Sequence, residues 1–194
     1  LYTDHELIDR IWDSRRGEFV TDAELWDTLL GSRYVLLGEK HDNPDHHALQ
    51  LRVLQALINA DYVDKLTMEM LDNTASENLD AFLETRFESE EALKNFLNWD
   101  DQGWNWAYYG GLIQAAHRAN VPVSAGNLDA ETVMQVYSSP TSAEIEAVLD
   151  AEVMSRLLAD IDESHCGLLP ESQFPPMVRV QQTRDHTMAR SLLL

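Results

Sequence analysis

The segment from Gly38 to His47 contains the side chains best suited to bind a ligand or a metal ion. An apolar run at residues 33–37 precedes it, and Asn43 and Pro44 mark the start of a helix within it. Open α/β sheets bind ligands at the carboxyl ends of their strands, so the side chains that follow the apolar run are expected at that edge. The candidate ligands are one carboxylate and three imidazoles: Glu39, His41, His46 and His47.

Three short apolar runs predict the strands that position these groups. They lie at residues 33–37, 65–70 and 121–125, and segments with helical periodicity separate them. Parallel strands need long crossover connections of this kind. The sequence therefore predicts an α/β fold with a parallel β-sheet flanked by helices. The predicted helices open near Pro44 and Ser76 and cover residues 90–97, 105–119, 130–137, 142–160 and 176–194.

Polar side chains recur where each predicted strand ends. Glu39 and His41 follow the first strand, Glu69 and Asp72 follow the second, and Asn127 follows the third. Because the carboxyl ends of parallel strands meet at one edge of a sheet, we expect these groups at a common edge. Glu69 has an alternative role as the partner of a helix N-terminus or of a nearby basic side chain.

The composition limits the classes of function. The chain has 194 residues, of which 44% are hydrophobic, and this is enough for one ordinary core. Its 14 basic and 34 acidic residues give a net charge of -20, which repels nucleic acid and anionic lipid, so we expect no nucleic-acid partner. The single cysteine, Cys166, excludes an internal disulfide framework and a cysteine-based zinc cluster. No stretch approaches the roughly 20 apolar residues of a membrane span.

The histidines other than His41 have positions that suit either a ligand site or a structural role. His46 and His47 lie in the first turn of a helix and can face a ligand, but His47 also continues the apolar stripe of that helix and suits the core. His165 precedes Cys166, where an imidazole and a thiol can reach a metal ion or can simply form a turn over a buried thiol. Three further histidines are expected at the surface: His5, His117 and His186.

An aromatic segment at residues 99–111 holds three of the five tryptophans. Core packing explains most clusters of this kind. Gly110 and Gly111 nevertheless lie inside a predicted helix, where each costs about 1 kcal/mol relative to alanine and is tolerated when a backbone or a flat ligand approaches closely. A phenol beside them, Tyr108 or Tyr109, can supply an oxygen ligand to ferric iron, which is one mode of haem ligation.

A series of short motifs spans the chain from about residue 8 onward. They are Gly38-Glu39-Lys40-His41-Asp42-Asn43 with His46-His47, Glu69-Met70, Tyr109 with Leu112-Ile113, Pro122-Val123 with Asn127, His165-Cys166-Gly167 with Leu169-Pro170-Glu171, Met177-Val178-Arg179 with Gln181, Arg184-Asp185 and Met188-Ala189. In their order and spacing the chain resembles the ChaN-like haem-binding uptake family of the Tiki superfamily.

The resemblance implies an α/β fold with an additional helical insertion and a role in bacterial haem or iron uptake. It also implies an exported protein, periplasmic or anchored to the outer membrane as a lipoprotein, with a haem transporter as partner. Members of the family continue past the Met188-Ala189 helix into another strand with a second glycine and histidine motif. We therefore expect residues 1–194 to form a single domain that lacks its C-terminal portion.

The first hypothesis is a haem-binding protein in which Tyr109 or Tyr108 is the iron ligand. The haem propionates would lie near the start of the helix at Pro44, where the helix N-terminus supplies partial positive charge and free N–H groups. Because so short a domain would have difficulty burying a whole macrocycle, a homodimer that shares the cofactor is favoured. The groups assigned to the cofactor besides the tyrosines are Lys40 and His41 at the propionates, with Glu39 and His46 beside them.

The alternative hypothesis is a divalent-metal-dependent hydrolase of the Tiki type. Mixed carboxylate and imidazole ligands would suit manganese, iron, cobalt or zinc and would activate water. The residues assigned to that metal site are Glu39, His41, Glu69 and His165. A third hypothesis, a binding module without catalysis, predicts no specific uptake of haem or metal.

Overall fold

The computed structural model describes residues 5–139 and 150–193, apart from the side chain of Glu77. The chain forms two compact units, and their boundary in the sequence falls between Tyr62 and Val63. The expected single domain stays a prediction. The helix predicted at residues 142–160 is observed from Ala151 onward, and its first part lies outside the described residues.

The first unit contains a hairpin and two helices. Strands β1 (Ile11–Asp13) and β2 (Glu18–Val20) pair antiparallel, and they are followed by helices α1 (Asp22–Leu30) and α2 (Pro44–Asn59). Across the hairpin the rings of Trp12 and Phe19 pack edge to face with centroids 5.0 Å apart. This hairpin was not predicted from the sequence, because its strands are only three residues long.

Side-chain caps explain where both helices of the first unit begin. Thr21 and Glu24 form a capping box at the start of α1, in which each side chain binds the other residue's backbone N–H. At the start of α2, the Asn43 side chain accepts a hydrogen bond from the backbone of Asp45 at 3.0 Å, and Pro44 takes the first helical position. The helix start predicted near Pro44 is therefore confirmed.

The prediction of a buried strand at residues 33–37 is wrong. The segment is irregular, with Leu36 77% exposed and Tyr34 41% exposed. The carbonyl of Leu37 accepts a hydrogen bond from the Gln50 side chain at 2.8 Å rather than from a strand. A strand exists only where a second backbone completes its hydrogen bonds, so an apolar run with β propensity does not create one by itself.

The second unit contains a parallel strand pair and most of the helices. Strands β3 (Leu66–Met68) and β4 (Val123–Ala125) pair in parallel, with Leu66 opposite Val123. This pairing and the mixed composition confirm the predicted α/β class and two of its three strands. The helices of this unit are α3 (Asn73–Leu79), α4 (Glu90–Phe96), α5 (Trp106–Arg118), α6 (Ala130–Ser138), α7 (Ala151–Ser164) and α8 (Phe174–Leu193), with a short 3₁₀ turn at Glu171–Gln173.

Helices α5 and α8 cover the strand pair, and α8 also packs on α6 and α7. The largest fully buried side chains of this unit are Leu71, Phe82, Leu97, Tyr109 and Ile113. Within the described ranges, no helix is both long and apolar enough to cross a membrane.

His117 contributes to this core, so its assignment to the surface was wrong. Its ring packs edge to face on Phe82 and Phe87 with centroids 4.9 and 5.0 Å away, and its Nε2 lies 3.0 Å from the carbonyl oxygen of Thr85. Its position on α5 directs the imidazole toward these two phenylalanine rings, where one ring nitrogen bonds to the Thr85 backbone.

Candidate functional site

In the first unit a buried carboxylate orients an exposed imidazole. The Glu39 side chain is 3% exposed and the His41 side chain is 59% exposed, and Oε1 of Glu39 lies 2.5 Å from Nδ1 of His41. A carboxylate on one ring nitrogen fixes the tautomer and direction of a histidine that acts through the other nitrogen, Nε2. The pair therefore suits His41 to bind an anionic group or a metal ion.

The two following histidines hold the loop that carries this pair. The backbone N–H of Lys40 donates to Nδ1 of His46 at 2.9 Å, which requires that the proton of a neutral His46 ring lies on Nε2. His47 is 4% exposed, and its Nε2 lies 3.1 Å from the carbonyl oxygen of His41. His47 is thus a core residue that fixes the backbone of the loop, as its place on the apolar stripe predicted.

In the second unit the two candidate iron ligands lie in different surroundings. Tyr109 is 1% exposed, and its ring packs on Trp99, Trp104 and Tyr108 with centroids 5.8 to 6.4 Å away. Tyr108 is half-buried. The core-packing interpretation of the aromatic segment therefore holds for Tyr109, whereas Tyr108 is the more accessible of the two phenols.

Gly110 serves the packing of the same aromatic cluster. A Cβ atom at Gly110 would overlap the indole ring of Trp106, one helical turn earlier. Trp106 in turn packs edge to face on Trp99 with centroids 4.9 Å apart. A tryptophan side chain, rather than a flat ligand, thus accounts for the missing side chain at this position.

A cleft of about 390 Å³ lies at the carboxyl ends of β3 and β4. Glu69 and Asp72, which follow β3, line it together with Asn127, which follows β4. The prediction that polar groups after these two strands share one edge is confirmed, while the corresponding prediction for Glu39 and His41 stays a prediction. Arg184 of α8 also lines the cleft. It belongs to the motif Arg184-Asp185 but was not predicted as a site residue, because its place in the cleft depends on how α8 packs.

One wall of the cleft belongs to α6, whose first turn is capped by Asp129. The carboxylate of Asp129 accepts a hydrogen bond from the backbone N–H of Thr132 at 2.6 Å. This bond, with a second from the Thr132 hydroxyl, holds the pKa of Asp129 below its ordinary value. Val133 and Met134, which follow Thr132 on α6, contribute apolar surface to the cleft.

His165 lies at the C-terminal end of α7. Its Nδ1 is 2.7 Å from the carbonyl oxygen of Ile161, and the adjacent Cys166 is exposed. Among residues 5–139 and 150–193, no group of three histidine, cysteine, aspartate or glutamate side chains is arranged to hold a metal ion. The metal role of Glu39, His41, Glu69 and His165 stays a prediction.

The family described as "Haem-binding uptake, Tiki superfamily, ChaN" matches residues 25–194. The chain belongs to this family. A solved structure described as "Cofacial heme binding to ChaN of Campylobacter jejuni" has the same fold with a TM-score of 0.79 and 26% sequence identity, over 94% of this chain and 74% of that one. No curated protein matches the chain. The resemblance drawn from the motifs is confirmed, and haem binding is the function to which family and neighbour both point.

Proposed function

We propose that this protein binds haem in bacterial haem or iron uptake, with a tyrosine of α5 as the iron ligand. The observation that carries the proposal is the family match over residues 25–194, together with the shared fold of the Campylobacter jejuni ChaN protein, whose description names cofacial haem binding. Haem is here the cargo that the protein carries, and the chain needs to supply an iron ligand, partners for the propionates and an apolar contact surface.

Tyr108 and Tyr109 are the two phenols offered for the iron. Tyr108 is half-buried in the first turn of α5, so its phenol is more accessible to a ligand than that of Tyr109, on which its ring packs. Tyr109 is buried among Trp99, Trp104 and Tyr108, and ligation through it requires those rings to move or the ligand to join the cluster. Accessibility therefore favours Tyr108, and Tyr109 is the second choice.

Lys40 and His41 are the groups proposed for the propionates. Both are exposed in the loop before α2, and the buried Glu39 directs the His41 ring. The start of α2 adds the partial positive charge of a helix N-terminus. An ammonium group, an imidazole and a helix N-terminus together suit a carboxylate.

Cofacial binding places two macrocycles face to face. A homodimer in which each protomer supplies one haem satisfies that arrangement, and it relieves a domain of this size from burying a whole macrocycle alone. We further propose export as a periplasmic or outer-membrane-anchored lipoprotein that delivers haem to a transporter, as the motif resemblance implies.

Titration with ferric haem tests the proposal. We expect a saturable Soret band with the charge-transfer features of a ferric phenolate, and a particle mass that doubles on loading. Tyr108→Phe should abolish the phenolate features, whereas Tyr62→Phe, which removes an exposed phenol of the first unit, should leave them intact.

Loss of the features in Tyr109→Phe alone would transfer the ligand role to Tyr109. Unchanged spectra in both Tyr108→Phe and Tyr109→Phe would exclude tyrosine ligation. The absence of any saturable Soret band in the folded wild type would contradict haem binding itself.

A further inference from the structure

The cleft at the carboxyl ends of β3 and β4 has the dimensions of a small-molecule site. Its volume of about 390 Å³ is within the usual range for such sites, and ligands of α/β sheets usually bind at this end of the strands. Three buried leucines contribute to the apolar part of its lining, beside Val133 and Met134 of α6: Leu71, Leu97 and Leu128.

Arg184 brings a positive charge into this cleft, and this charge pairs with no carboxylate of the described residues. Its Nε is shielded from solvent and has no hydrogen-bond acceptor among the described residues. Its guanidinium also forms no ion pair in the described part of the chain. A buried N–H without an acceptor is destabilising, and the planar guanidinium that lines the cleft fits a ligand carboxylate best.

Three carboxylates share the lining, but two of them already serve local turns. Asp72 accepts the backbone N–H of Thr74 at 2.9 Å and so caps α3. Asp100 accepts the backbone N–H of Gln102, also at 2.9 Å. Glu69 is half-buried, and no hydrogen bond or ion pair links it to another of the described residues. Glu69 is therefore the carboxylate that remains for a ligand.

Glu69 and Arg184 thus line one cleft with opposite charges and do not pair with each other. A simple anion would be repelled by the three carboxylates and by the net charge of -20, and a simple cation would be repelled by Arg184. A molecule that carries both charges satisfies both groups.

We propose that this cleft binds a small zwitterion, a free amino acid or dipeptide with an apolar side chain. Its carboxylate lies on Arg184, its ammonium group on Glu69, and its side chain on the leucines. This proposal goes beyond the proposed haem function and uses neither the tyrosines of α5 nor the loop before α2, while Trp104 in the cleft lining packs on Tyr109.

Calorimetric titration of the wild-type protein with L-leucine and L-leucyl-L-leucine tests the proposal. Two analogues each lack one charge: L-leucinamide has no carboxylate, and N-acetyl-L-leucine has no ammonium group. We expect saturable binding of the zwitterions and roughly tenfold weaker binding of each analogue, since a hydrogen bond to a charged group is lost.

Two variants assign the charges to residues. Arg184→Gln should weaken L-leucine binding roughly tenfold and remove the preference over L-leucinamide, and Glu69→Gln should remove the preference over N-acetyl-L-leucine. Arg190→Gln on the same helix and Glu163→Gln on α7 change exposed residues by the same charge and should have no effect.

The proposal is overturned if the folded wild type shows no saturable binding of either zwitterion. It is also overturned if both analogues bind as tightly as L-leucine, or if the two control variants weaken binding as much as the cleft variants. A ferric haem titration on the same samples separates the two functions, because an unchanged Soret band in Arg184→Gln leaves the haem site intact. A wild type that binds no haem contradicts only the proposed function.

Discussion

The pairing of Glu39 with His41 shows how one buried carboxylate sets the direction of an exposed side chain. His41 is 59% exposed, and an imidazole with that much freedom would sample many rotamers without the 2.5 Å contact to Glu39. In the proposed haem site, Glu39 acts through His41 as a positioning residue.

This division of roles predicts that the effects of mutations at Glu39 and His41 on haem affinity are not additive. Glu39→Gln and His41→Gln should each weaken haem binding by roughly tenfold, because the first removes the carboxylate that directs the His41 ring and the second removes the ring that contacts the propionate. If Glu39 acts on haem only through His41, the double variant should bind haem no more weakly than His41→Gln, because the other neighbour of Glu39 is the core residue His47, whose Nε2 lies 3.9 Å from Oε2 of Glu39. Haem dissociation constants of the wild type, the two single variants and the double variant, measured by absorbance titration, complete this double-mutant cycle. Asp42→Asn in the same loop is the control. Additive effects would show that Glu39 acts independently of His41.

Single residues were predicted best where position and chemistry agreed. The core role of His47 followed from the apolar stripe, and the clustering of Glu69 with Asn127 followed from the ends of two strands. The cleft position of Arg184 and the packing of His117 on aromatic rings were not predicted. Both depend on the elements that α8 and α5 pack against, and these neighbours are distant in the sequence.

At the scale of the element, the Asp129 cap couples the stability of α6 to pH. The pKa of Asp129 is lowered in the folded protein, so its stabilising contribution is fully present above the ordinary aspartate value of 3.8 and is lost as pH falls through the lowered value. An asparagine at the same position would also cap the helix but would not titrate.

We therefore expect wild type and Asp129→Asn to lose stability differently at acid pH. The difference between their free energies of unfolding should stay constant from neutral pH down to about pH 4 and should then shift in favour of Asp129→Asn. Urea unfolding at a series of pH values measures this, and Asp129→Ala should be less stable than both at neutral pH, because alanine has no side-chain acceptor for the cap. A difference that is flat down to the acid transition would mean that the cap does not depend on the charge.

The elements themselves were predicted unevenly. Strands β3 and β4 and helices α4, α5 and α6 lie where the periodicity places them. Helix α3 begins at Asn73, because Asp72 supplies the cap, rather than near Ser76. The run at residues 33–37 has the composition of a strand without its hydrogen-bond partner, and the β1–β2 hairpin is too short to produce a periodic signal.

At the scale of the whole molecule, the net charge of -20 opposes the approach of a ligand with two propionates. Raising the ionic strength shortens the Debye length, to about 10 Å at 0.1 M, and screens this long-range repulsion. We expect the association rate constant for haem to rise with salt in stopped-flow measurements. Lys40→Gln should lower the rate at every salt concentration and Arg15→Gln, an exposed site elsewhere in the first unit, should lower it less. A rate that falls with salt would mean that local positive charge dominates the encounter.

At this scale, the sequence predicts the fold class and the family, but not every contact between distant segments. The Campylobacter jejuni ChaN structure matches 94% of this chain, but the match covers 74% of that longer chain. The fold class and the family follow from short motifs, whose residues and order can be read directly from the sequence. The pairing of strands and the lining of the cleft depend on contacts between distant segments.

The parallel pairing of β3 with β4 has a consequence for how the second unit folds. Thr67 and Ser124, whose hydroxyls are 2.8 Å apart across the two strands, are separated by 57 positions in the sequence. Closing a loop of that length is entropically unfavourable until the intervening chain has become compact, and non-local contacts of this kind slow folding. Helices α3, α4 and α5 lie within the loop and are held by local hydrogen bonds. The binding cleft, which exists only once the strands have paired, is therefore among the last features of the unit to form.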